Sequence, residues 1–510
     1  MSPRLGGGQK AERVAQIKMS SAKSKVGLLK NLAAIAIMAL PPSLGWAASS
    51  ALATACLNTE DSITSTSFVR LNASTLVLHT ADLVNGHRYL IMYNVGMGAS
   101  GPSREPATRV MYGTTEIAVA DLESDAESEP LSTRNGPHSG QAGNLNGFYI
   151  LTANGSDSLW VEAKNAGSGG GASYFSGKCL MSVDLNNLTN NTHYFDTVDN
   201  TSGILMSDTT DTPTIDTTLL TDTYTTAAED YLVLASAEVW DSLNTSNAFS
   251  KQCYLMIDGT IQGPADGGKH TWEDVSDFWN WSYAKIHTFT AASHTFTIKI
   301  GNVDSTGATS VVYGRRPRII LIRKSAYVDM QTKGHDGYNT VVNDYNTWGT
   351  DTSLTYTNNT GTTENVVLLA SASLRGVTFE QHTVTRILNN TDALSFSEVG
   401  TSDPREANDT VNVTAIGFLA ALANGGAKQV LFQVAGDSTA ADNTVGFVNL
   451  IAWNLKEDVG APPAVSPKRR RKLMNISEIK EPNLRPSQIA QALGLQLCDC
   501  PEDSLTVREK

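Results

Sequence analysis

Four aromatic residues lie close together in the chain and alternate with acids and an amide. The set comprises Trp272, Trp279, Trp281, Tyr283, Asp274, Asp277 and Asn280. Aromatic rings stack on sugars while amides and carboxylates bond their hydroxyl groups, so this composition is typical of a carbohydrate-binding platform. The alternative is structural, because Trp279 and Trp281 are two residues apart and would share the buried face of a strand.

An acidic run offers the second candidate site. It contains Asp121, Glu123 and Asp125. Ca²⁺ takes several oxygen ligands, so the run is a candidate calcium site, and a structural Ca²⁺ is the one cofactor that the sequence suggests. A solvated acidic loop is the alternative.

No group of residues is typical of catalysis. The nine histidines form no His-x-x-x-His pair, and the glycine-rich run at 167–171 lacks the Lys-Ser/Thr of a phosphate loop. We therefore predict a protein that is not an enzyme. An enzyme acting on glycans is the third hypothesis for function. It would require the fold to bring two carboxylates together.

The composition and the charge argue against a nucleic-acid-binding protein. The 510 residues are 41% hydrophobic and only 17% charged, with a net charge of −13. Residues 1–47 hold seven basic residues and one acid, and residues 468–510 hold nine and six, which leaves −22 on the body. Such an acidic body repels phosphate backbones, so we predict no nucleic-acid partner.

The two ends differ from the body. Lysines at 23, 25 and 30 precede the short apolar run 31–40 and a small-residue segment at 45–47, so residues 1–47 are predicted to be a leader with a short hydrophobic helix, typical of a signal peptide. Residues 458–510 are predicted to be a Pro-rich linker and a mostly disordered basic tail with a short helix. Cys56 and Cys179 lie near the two ends of the first module and are predicted to pair if the chain reaches an oxidising compartment.

Three landmark segments recur in the same order in three copies. The first landmark is the strand-like run at 89–95, 231–239 and 366–374, where the last two copies share Leu-Ala-Ser-Ala. The second pairs Phe148–Gly155 with Phe418–Gly425 at an offset of 270. The third closes each copy at 179–185, 318–324 and 449–456.

The repeat predicts an all-β protein of three tandem antiparallel β-sandwich modules, at 58–186, 194–325 and 338–457. Short apolar runs separated by Asn-Gly and Asp-Gly turns are typical of strands and hairpins, and abundant threonine suits strands with one polar face. Both an end-to-end rod and a closed pseudo-threefold arrangement fit the linkers.

The pattern resembles jelly-roll modules of the C1q/TNF-like kind, which also appear in phage tail fibres and virion-surface proteins. The resemblance rests on the leading strand 230–236, the segment Ala292–Ile298 and the closing run Arg318–Ile322. It implies a structural or recognition head, without catalysis, that self-associates or assembles into a particle or fibre.

The leading hypothesis is a non-enzymatic structural or adhesive protein on a virion or cell surface that contacts a glycan or a surface protein. The runner-up is a secreted bacterial carbohydrate-binding protein. Both place the body outside the cell or on a virion surface.

Overall fold

The structure is a computed structural model of the chain. It describes residues 52–57, 59–99, 106–121, 142–165, 171–187, 206–208, 214–241, 249–263, 268–272, 278–303, 310–341, 348–376, 383–389, 399–400, 410–436 and 443–455. Strands make up 77% of these residues and α-helices none, which confirms the all-β prediction. The predicted leader helix and the predicted tail lie outside the described residues.

The described residues of module 1 form the strands β1 (Leu52–Leu57), β2 (Asp61–Ile63), β3 (Val69–Arg70), β4 (Val77–Leu78), β5 (Arg88–Ala99), β6 (Pro106–Tyr112), β7 (Thr115–Asp121), β8 (Ala142–Thr152), β9 (Leu159–Asn165) and β10 (Ser173–Asp184). Those of module 2 form β11 (Met206–Asp208), β12 (Thr214–Thr225), β13 (Glu229–Asp241), β14 (Phe249–Ile257), β15 (Thr260–Gln262), β16 (Gly268–Trp272), β17 (Phe278–Phe289), β18 (Ser293–Val303) and β19 (Ser310–Arg323). Those of module 3 form β20 (Tyr327–Val341), β21 (Gly349–Thr357), β22 (Glu364–Gly376), β23 (Thr383–Asn389), β24 (Val399–Gly400), β25 (Thr410–Leu422), β26 (Ala427–Gly436) and β27 (Asn443–Leu455). Short 3-10 turns follow β10 and β19 at Leu185–Asn187 and Lys324–Ala326.

Each module is a sandwich of two antiparallel sheets. Module 1 packs β1-β10-β5-β8 against β7-β6-β9-β3, with β2 on β10 and β4 on β9. Module 2 packs β11-β19-β13-β17 against β12-β18-β14-β15, with β16 on β14, and module 3 packs β20-β27-β22-β25 against β21-β26-β23-β24. One sheet runs through two modules, because β17 pairs with β7 at Phe278 and Asp121.

The leading strands β5, β13 and β22 are buried on both faces, which explains their continuous apolar runs. Residues of one face enter the core of their own sandwich: Tyr89 and Ile91 in module 1, Tyr231 and Val233 in module 2, Val366 and Leu368 in module 3. The alternate residues point the other way, as the period of two in a strand requires.

Those alternate residues meet in one core that all three modules share. The shared core contains Leu90, Met92, Phe148, Ile150, Met181 and Val183 of module 1, Leu232, Leu234, Ala284, Ile320 and Ile322 of module 2, and Val367, Leu369, Ile416, Ile451 and Trp453 of module 3. The modules also touch in a cycle: β17 contacts β8 and β25, and β25 contacts β5 and β8. All the described strands lie within one compact unit, Met1–Glu457. The three modules therefore form a closed ring around an apolar centre and not a rod.

The strand registers show that the ring has approximate threefold symmetry. Leu90, Leu232 and Val367 occupy equivalent positions, since they face Val183, Ile322 and Trp453 in the closing strands β10, β19 and β27. Each closing strand also has a β-bulge with a positive φ at the equivalent residue. These residues are Gly177 at 53°, Arg316 at 49° and Phe447 at 50°. Only glycine adopts this conformation without strain, yet two of the three positions hold Arg316 and Phe447. The bulge is therefore a feature of the backbone in all three modules and does not depend on a glycine.

The register corrects one alignment made from the sequence. Phe148 faces Met92, whereas Phe418 faces Val367, which is equivalent to Leu90. Phe148 is therefore equivalent to Ile416 and not to Phe418. The sequence alignment was shifted by two residues, a shift that keeps the same strand face and so leaves the apolar pattern intact.

The predicted module limits stay predictions. Two strands extend beyond them in the structure: β1 begins at Leu52, and β20 begins at Tyr327 and pairs with β27 of module 3. Among the residues described, no helix is long and apolar enough to cross a membrane.

Candidate functional site

The predicted aromatic platform is not exposed where the structure describes its side chains. Trp281 is 0% and Tyr283 4% exposed, and both pack in the core of module 2. Burial raises the pKa of Tyr283. Asn280 is 2% exposed and donates from Nδ2 to the carbonyl oxygen of Val119 at 2.9 Å. These three side chains are buried because β17 turns one face toward its own core and the other toward modules 1 and 3. A glycan-binding role for the set stays a prediction.

The remaining predicted site residues are placed only in part. Trp272 ends β16 and Trp279 lies in β17, beside the strand partners Phe249 and Val239. Asp121 ends β7. The positions Asp274, Asp277, Glu123 and Asp125 lie outside the described residues, and no group of potential metal ligands occurs among those described. The calcium site stays a prediction.

The two cysteines singled out in the sequence face each other across paired strands. Cys56 of β1 is the register partner of Cys179 of β10. The two residues form a disulfide with their Cα atoms 4.0 Å apart. The bond joins the first and last strands of module 1 at the edge of the shared core, where Cys179 is fully buried.

Asn280 belongs to a threefold set of buried asparagines. Asn144, Asn280 and Asn412 face Gly96, Glu238 and Ser373 in the three leading strands, which makes them equivalent. Their exposures are 6%, 2% and 3%. Their contacts differ: Asn280 donates to Val119 of module 1, Asn412 Oδ1 accepts from Ser373 Oγ of its own module at 2.6 Å, and Asn144 Nδ2 has no hydrogen-bond partner among the described residues.

A buried charge cluster joins module 2 to module 1. Glu238 is 2% exposed, and its carboxylate accepts from Arg315 Nε at 2.5 Å and Arg316 NH1 at 3.0 Å. It also accepts from the backbone nitrogen of Val119 in module 1 at 3.1 Å. Arg316 NH2 reaches Glu116 of module 1 at 3.1 Å. Burial opposes the charged guanidinium, but the two carboxylates together raise the pKa of Arg316 above its usual value.

A third arginine extends this cluster into module 1. Arg318 is 2% exposed and donates to the carbonyl oxygens of Ile117 at 2.9 Å and Phe148 at 3.3 Å. Its guanidinium carbon lies 4.5 Å from the centroid of the Tyr149 ring. Hydrogen bonds to charged groups are the stronger kind, so this junction is the most firmly held of the described contacts between modules.

The junction of modules 2 and 3 combines one exposed ion pair with neutral hydrogen bonds. Lys285 Nζ of β17 lies 2.9 Å from Asp336 Oδ1 of β20. Between modules 2 and 3, Ser282 Oγ donates to Thr414 Oγ1 at 2.8 Å, and the nitrogen of Ala284 donates to Ser371 Oγ at 3.3 Å. Between modules 3 and 1, strands β24 and β25 contact β5 and β8.

The amides of module 1 at this last junction have unsatisfied atoms. Asn94 Oδ1, Asn144 Nδ2 and both amide atoms of Asn146 have no hydrogen-bond partner among the residues that the structure describes. The three residues lie on the faces of β5 and β8 that turn toward the neighbouring modules, because they alternate in phase with Met92 and Phe148 of the shared core. Buried amides that lack protein partners are normally bonded to ordered water.

The outward-facing aromatic surface of the described residues that best fits a ligand lies on module 1. Leu159, Val161 and Ala163 of β9 enter the module core, so Trp160 and Glu162 lie on the opposite face of the strand, where Trp160 is 9% exposed. Trp160 packs on Val77 and Met111, and its Nε1 donates to Glu162 Oε1 at 2.8 Å. The Arg70 guanidinium carbon lies 3.7 Å from the centroid of the Trp160 ring.

Arg109 completes this surface. Its Nε and NH2 donate to Glu162 Oε2 at 2.9 and 2.8 Å, and its guanidinium carbon lies 4.1 Å from the Phe68 ring centroid. We name Phe68, Arg70, Arg109, Trp160 and Glu162 the outer aromatic face. Stacked rings beside fixed hydrogen-bonding groups are the combination that recognises sugars and polar peptides.

The corresponding surface of module 2 has a different character. Paired strands β12 and β18 place Thr221 beside Thr297 and Thr223 beside Thr295, with hydroxyl oxygens 3.1 and 3.4 Å apart. These exposed threonines form a polar ladder without an aromatic anchor. Sequence reasoning missed the outer aromatic face because its members are separated by up to 94 positions, from Phe68 to Glu162. The alternation of apolar and polar residues at 159–163 was the available signal.

Comparison with known proteins identifies no family. No protein-family model and no curated protein matches the chain. Among solved structures, the chain is similar to PNGF-II at 9% identity, with a TM-score of 0.24. The match covers 53% of this chain and 65% of that one, so the chain spans less than two thirds of that protein. The tandem CBM22 domains of Paenibacillus barcinonensis Xyn10C match at 9% identity over 51% and 97%, with a TM-score of 0.15. A T=3 Penaeus vannamei nodavirus structure matches at 12% identity over 52% and 88%, with a TM-score of 0.13. The resemblance to C1q/TNF-like modules and to tail fibres stays a prediction.

Proposed function

We propose that the chain is a non-enzymatic structural or adhesive protein, displayed on a virion or cell surface, where it contacts a glycan or a protein neighbour. The shared core carries this proposal. Three sandwiches that bury one face each in a common centre make a single body whose outer sheets all remain available for contacts. One chain thus supplies the kind of head that three separate subunits form in the families it resembles.

The outer aromatic face is the contact surface in this proposal. Arg109 donates twice to Glu162 Oε2, and Arg70 is held on Trp160, so the groups are ordered before a ligand arrives. Preorganisation of this kind lowers the entropy cost of binding.

Surface display is tested by labelling intact material. An antibody against residues 52–455 is expected to label whole virions or whole cells of the source in immunogold electron microscopy. Labelling that appears only after permeabilisation would contradict display.

Ligand contact is tested on a glycan array with the full chain. Trp160→Ala and Phe68→Ala are each expected to weaken binding about tenfold or more, as loss of an aromatic anchor does. The matched control is Trp348→Ala, since Trp348 is also stacked by an arginine, with Arg386 at 4.0 Å, but belongs to module 3. Thermal melts separate loss of contact from loss of folding. Unchanged binding by both module 1 variants would exclude the outer aromatic face.

A secreted bacterial carbohydrate-binding protein is the second candidate, and the same outer aromatic face favours it. Sequencing the mature N-terminus distinguishes the two functions. Removal of the leader near Ala47 favours secretion, whereas an intact N-terminus in purified particles favours a virion component.

A further inference from the structure

Lys178 is fully enclosed in module 1. Its side chain is 0% exposed, and it lies in β10 directly after the bulge residue Gly177. The ammonium group donates to the carbonyl oxygen of Thr59 at 2.6 Å and contacts Oδ2 of Asp61. Enclosing a lysine with one carboxylate carries a large desolvation cost, which an ion pair offsets only in part.

The two carboxylate oxygens of Asp61 have different surroundings. Oδ2 contacts Lys178, whereas Oδ1 accepts from Asn72 Nδ2 at 3.2 Å. The Asp61 side chain is 23% exposed, so a path to solvent exists on its side of the pair. One oxygen is therefore held as an acceptor while the other faces the amine and water.

The enclosed amine is also predisposed to react. Burial lowers the pKa of Lys178, although the hydrogen bond and the charge of Asp61 act in the opposite direction. A lowered pKa increases the neutral fraction of an amine, and desolvation makes it a better nucleophile.

We propose that Lys178 and Asp61 are joined by an isopeptide bond. The ammonium transfers a proton to Oδ2, and the neutral Nζ attacks Cγ of the protonated carboxyl group. A second proton moves from nitrogen to Oδ2, the Cγ–Oδ2 bond breaks, and Oδ2 leaves as water while the new Nζ–Cγ bond remains. Oδ1, held by Asn72, becomes the amide oxygen. The ammonium and the carboxylate together contain all the atoms of the amide and of the water, so no oxidant or other reagent is required.

The bond removes two charges from an enclosed site and connects β2 to β10. The disulfide of Cys56 with Cys179 joins β1 to β10 at the next position of the same strand. The edge of module 1 then has two covalent ties, of which only the disulfide is opened by reductant. This inference is independent of the proposed function, since it concerns one covalent bond and not a location or a ligand.

Trypsin digestion of the full chain, reduced and denatured, tests the inference directly. Trypsin cuts after a lysine only when its amine is free, so we expect loss of cleavage after Lys178. Mass spectrometry should find a branched peptide that links the Asp61 and Lys178 segments and weighs one water less than its two parts.

The chain offers a matched control in Lys285 and Asp336. This pair has Nζ and Oδ1 2.9 Å apart, but its side chains are 31% and 72% exposed, so the desolvation argument does not apply. Trypsin is expected to cut after Lys285 normally. Equal cleavage after Lys178 and Lys285, with an unbranched Lys178 peptide, would overturn the inference and leave a buried ion pair.

Asp61→Ala identifies the partner. Because the digest is made on denatured chain, the result does not depend on the stability of the variant. Cleavage after Lys178 should return in Asp61→Ala, whereas a lysine still protected in this variant would show that another group blocks it and would refute the proposed bond.

Discussion

The junction of modules 1 and 2 and the junction of modules 3 and 1 occupy equivalent places in the ring but are built differently. The first pairs β7 with β17 and buries Glu238 against two arginines and a backbone nitrogen of module 1. At the second, Asn94 and Asn146 have side-chain atoms without a hydrogen-bond partner among the described residues. The first junction is charged, whereas the second has buried amide atoms of the kind that ordered water normally bonds.

The difference shows what a single chain gains over three identical subunits. Glu238 is equivalent to Gly96 and Ser373, and Arg318 is equivalent to Cys179 and Asn449. In a homotrimer these positions would be the same in every subunit, so one junction could not be strengthened alone. Here the strand registers repeat in all three modules, whereas the polar contacts between modules differ from one junction to the next.

Glu238→Ala should break the stronger junction and have the largest effect. It leaves the buried Arg316 and the partly buried Arg315 without their main counter-charge, and loss of one partner of a buried ion pair typically costs about 3–5 kcal/mol. The equivalent substitution Ser373→Ala removes one neutral hydrogen bond and should cost about 1 kcal/mol. Urea denaturation of both variants checks the comparison, and similar losses would show that the charge cluster does not dominate.

Acid should weaken β17, the strand that contacts both neighbouring modules. Burial, followed by the charge of Lys285, lowers the pKa of His287 to about 4, while Asp336 acts in the opposite direction. In the unfolded chain the histidine takes up its proton near pH 6.5. The contribution of His287 to the free energy of unfolding is therefore constant above pH 6.5 and falls as the pH drops from about 6.5 to 4. The loss amounts to at most about 3 kcal/mol.

His287→Gln removes the titrating group. The glutamine amide still offers a hydrogen-bond partner to the Tyr283 hydroxyl, which in the natural chain lies 2.9 Å from His287 Nε2. Thermal melts across the pH range should show a flatter curve for the variant than for the natural chain between pH 6.5 and 4. Parallel curves would exclude His287 as the titrating group.

Equivalent asparagines should respond in opposite directions. Asn280→Ala removes the hydrogen bond to Val119 and should cost about 1 kcal/mol. Asn144→Ala removes an amide whose nitrogen has no hydrogen-bond partner among the described residues, so its effect should be near zero or stabilising. Chemical denaturation measures the difference between the two variants, and a loss in Asn144→Ala as large as that in Asn280→Ala would mean that Asn144 also has a firm partner.

The sequence predicted the fold class because apolar periodicity is a local property. The three landmarks, each a short buried run, correspond to strands of the three sandwiches, and the closing Trp453 lies fully buried in the shared core. The same periodicity placed Trp281 and Tyr283 on one strand face but could not tell an exposed face from a buried one. That is why the structure places in the module core two residues that the sequence assigned to a surface platform.

The contacts between modules were beyond sequence reasoning. Glu238 meets Val119 across a separation of 119 residues, and Arg318 meets Phe148 across 170. Such pairs depend on how whole sheets are positioned, which no local pattern encodes. The choice between a rod and a ring depended on the same contacts.

The closed ring is the central claim, and small-angle X-ray scattering of residues 48–457 tests it most directly. A compact body of this size has a radius of gyration of about 22 Å, with a single symmetric peak in its distance distribution. Three sandwiches of about 130 residues placed end to end would give about 30 Å or more and an extended tail of long distances. A value near 22 Å is the result we predict, and the larger value would contradict the shared core.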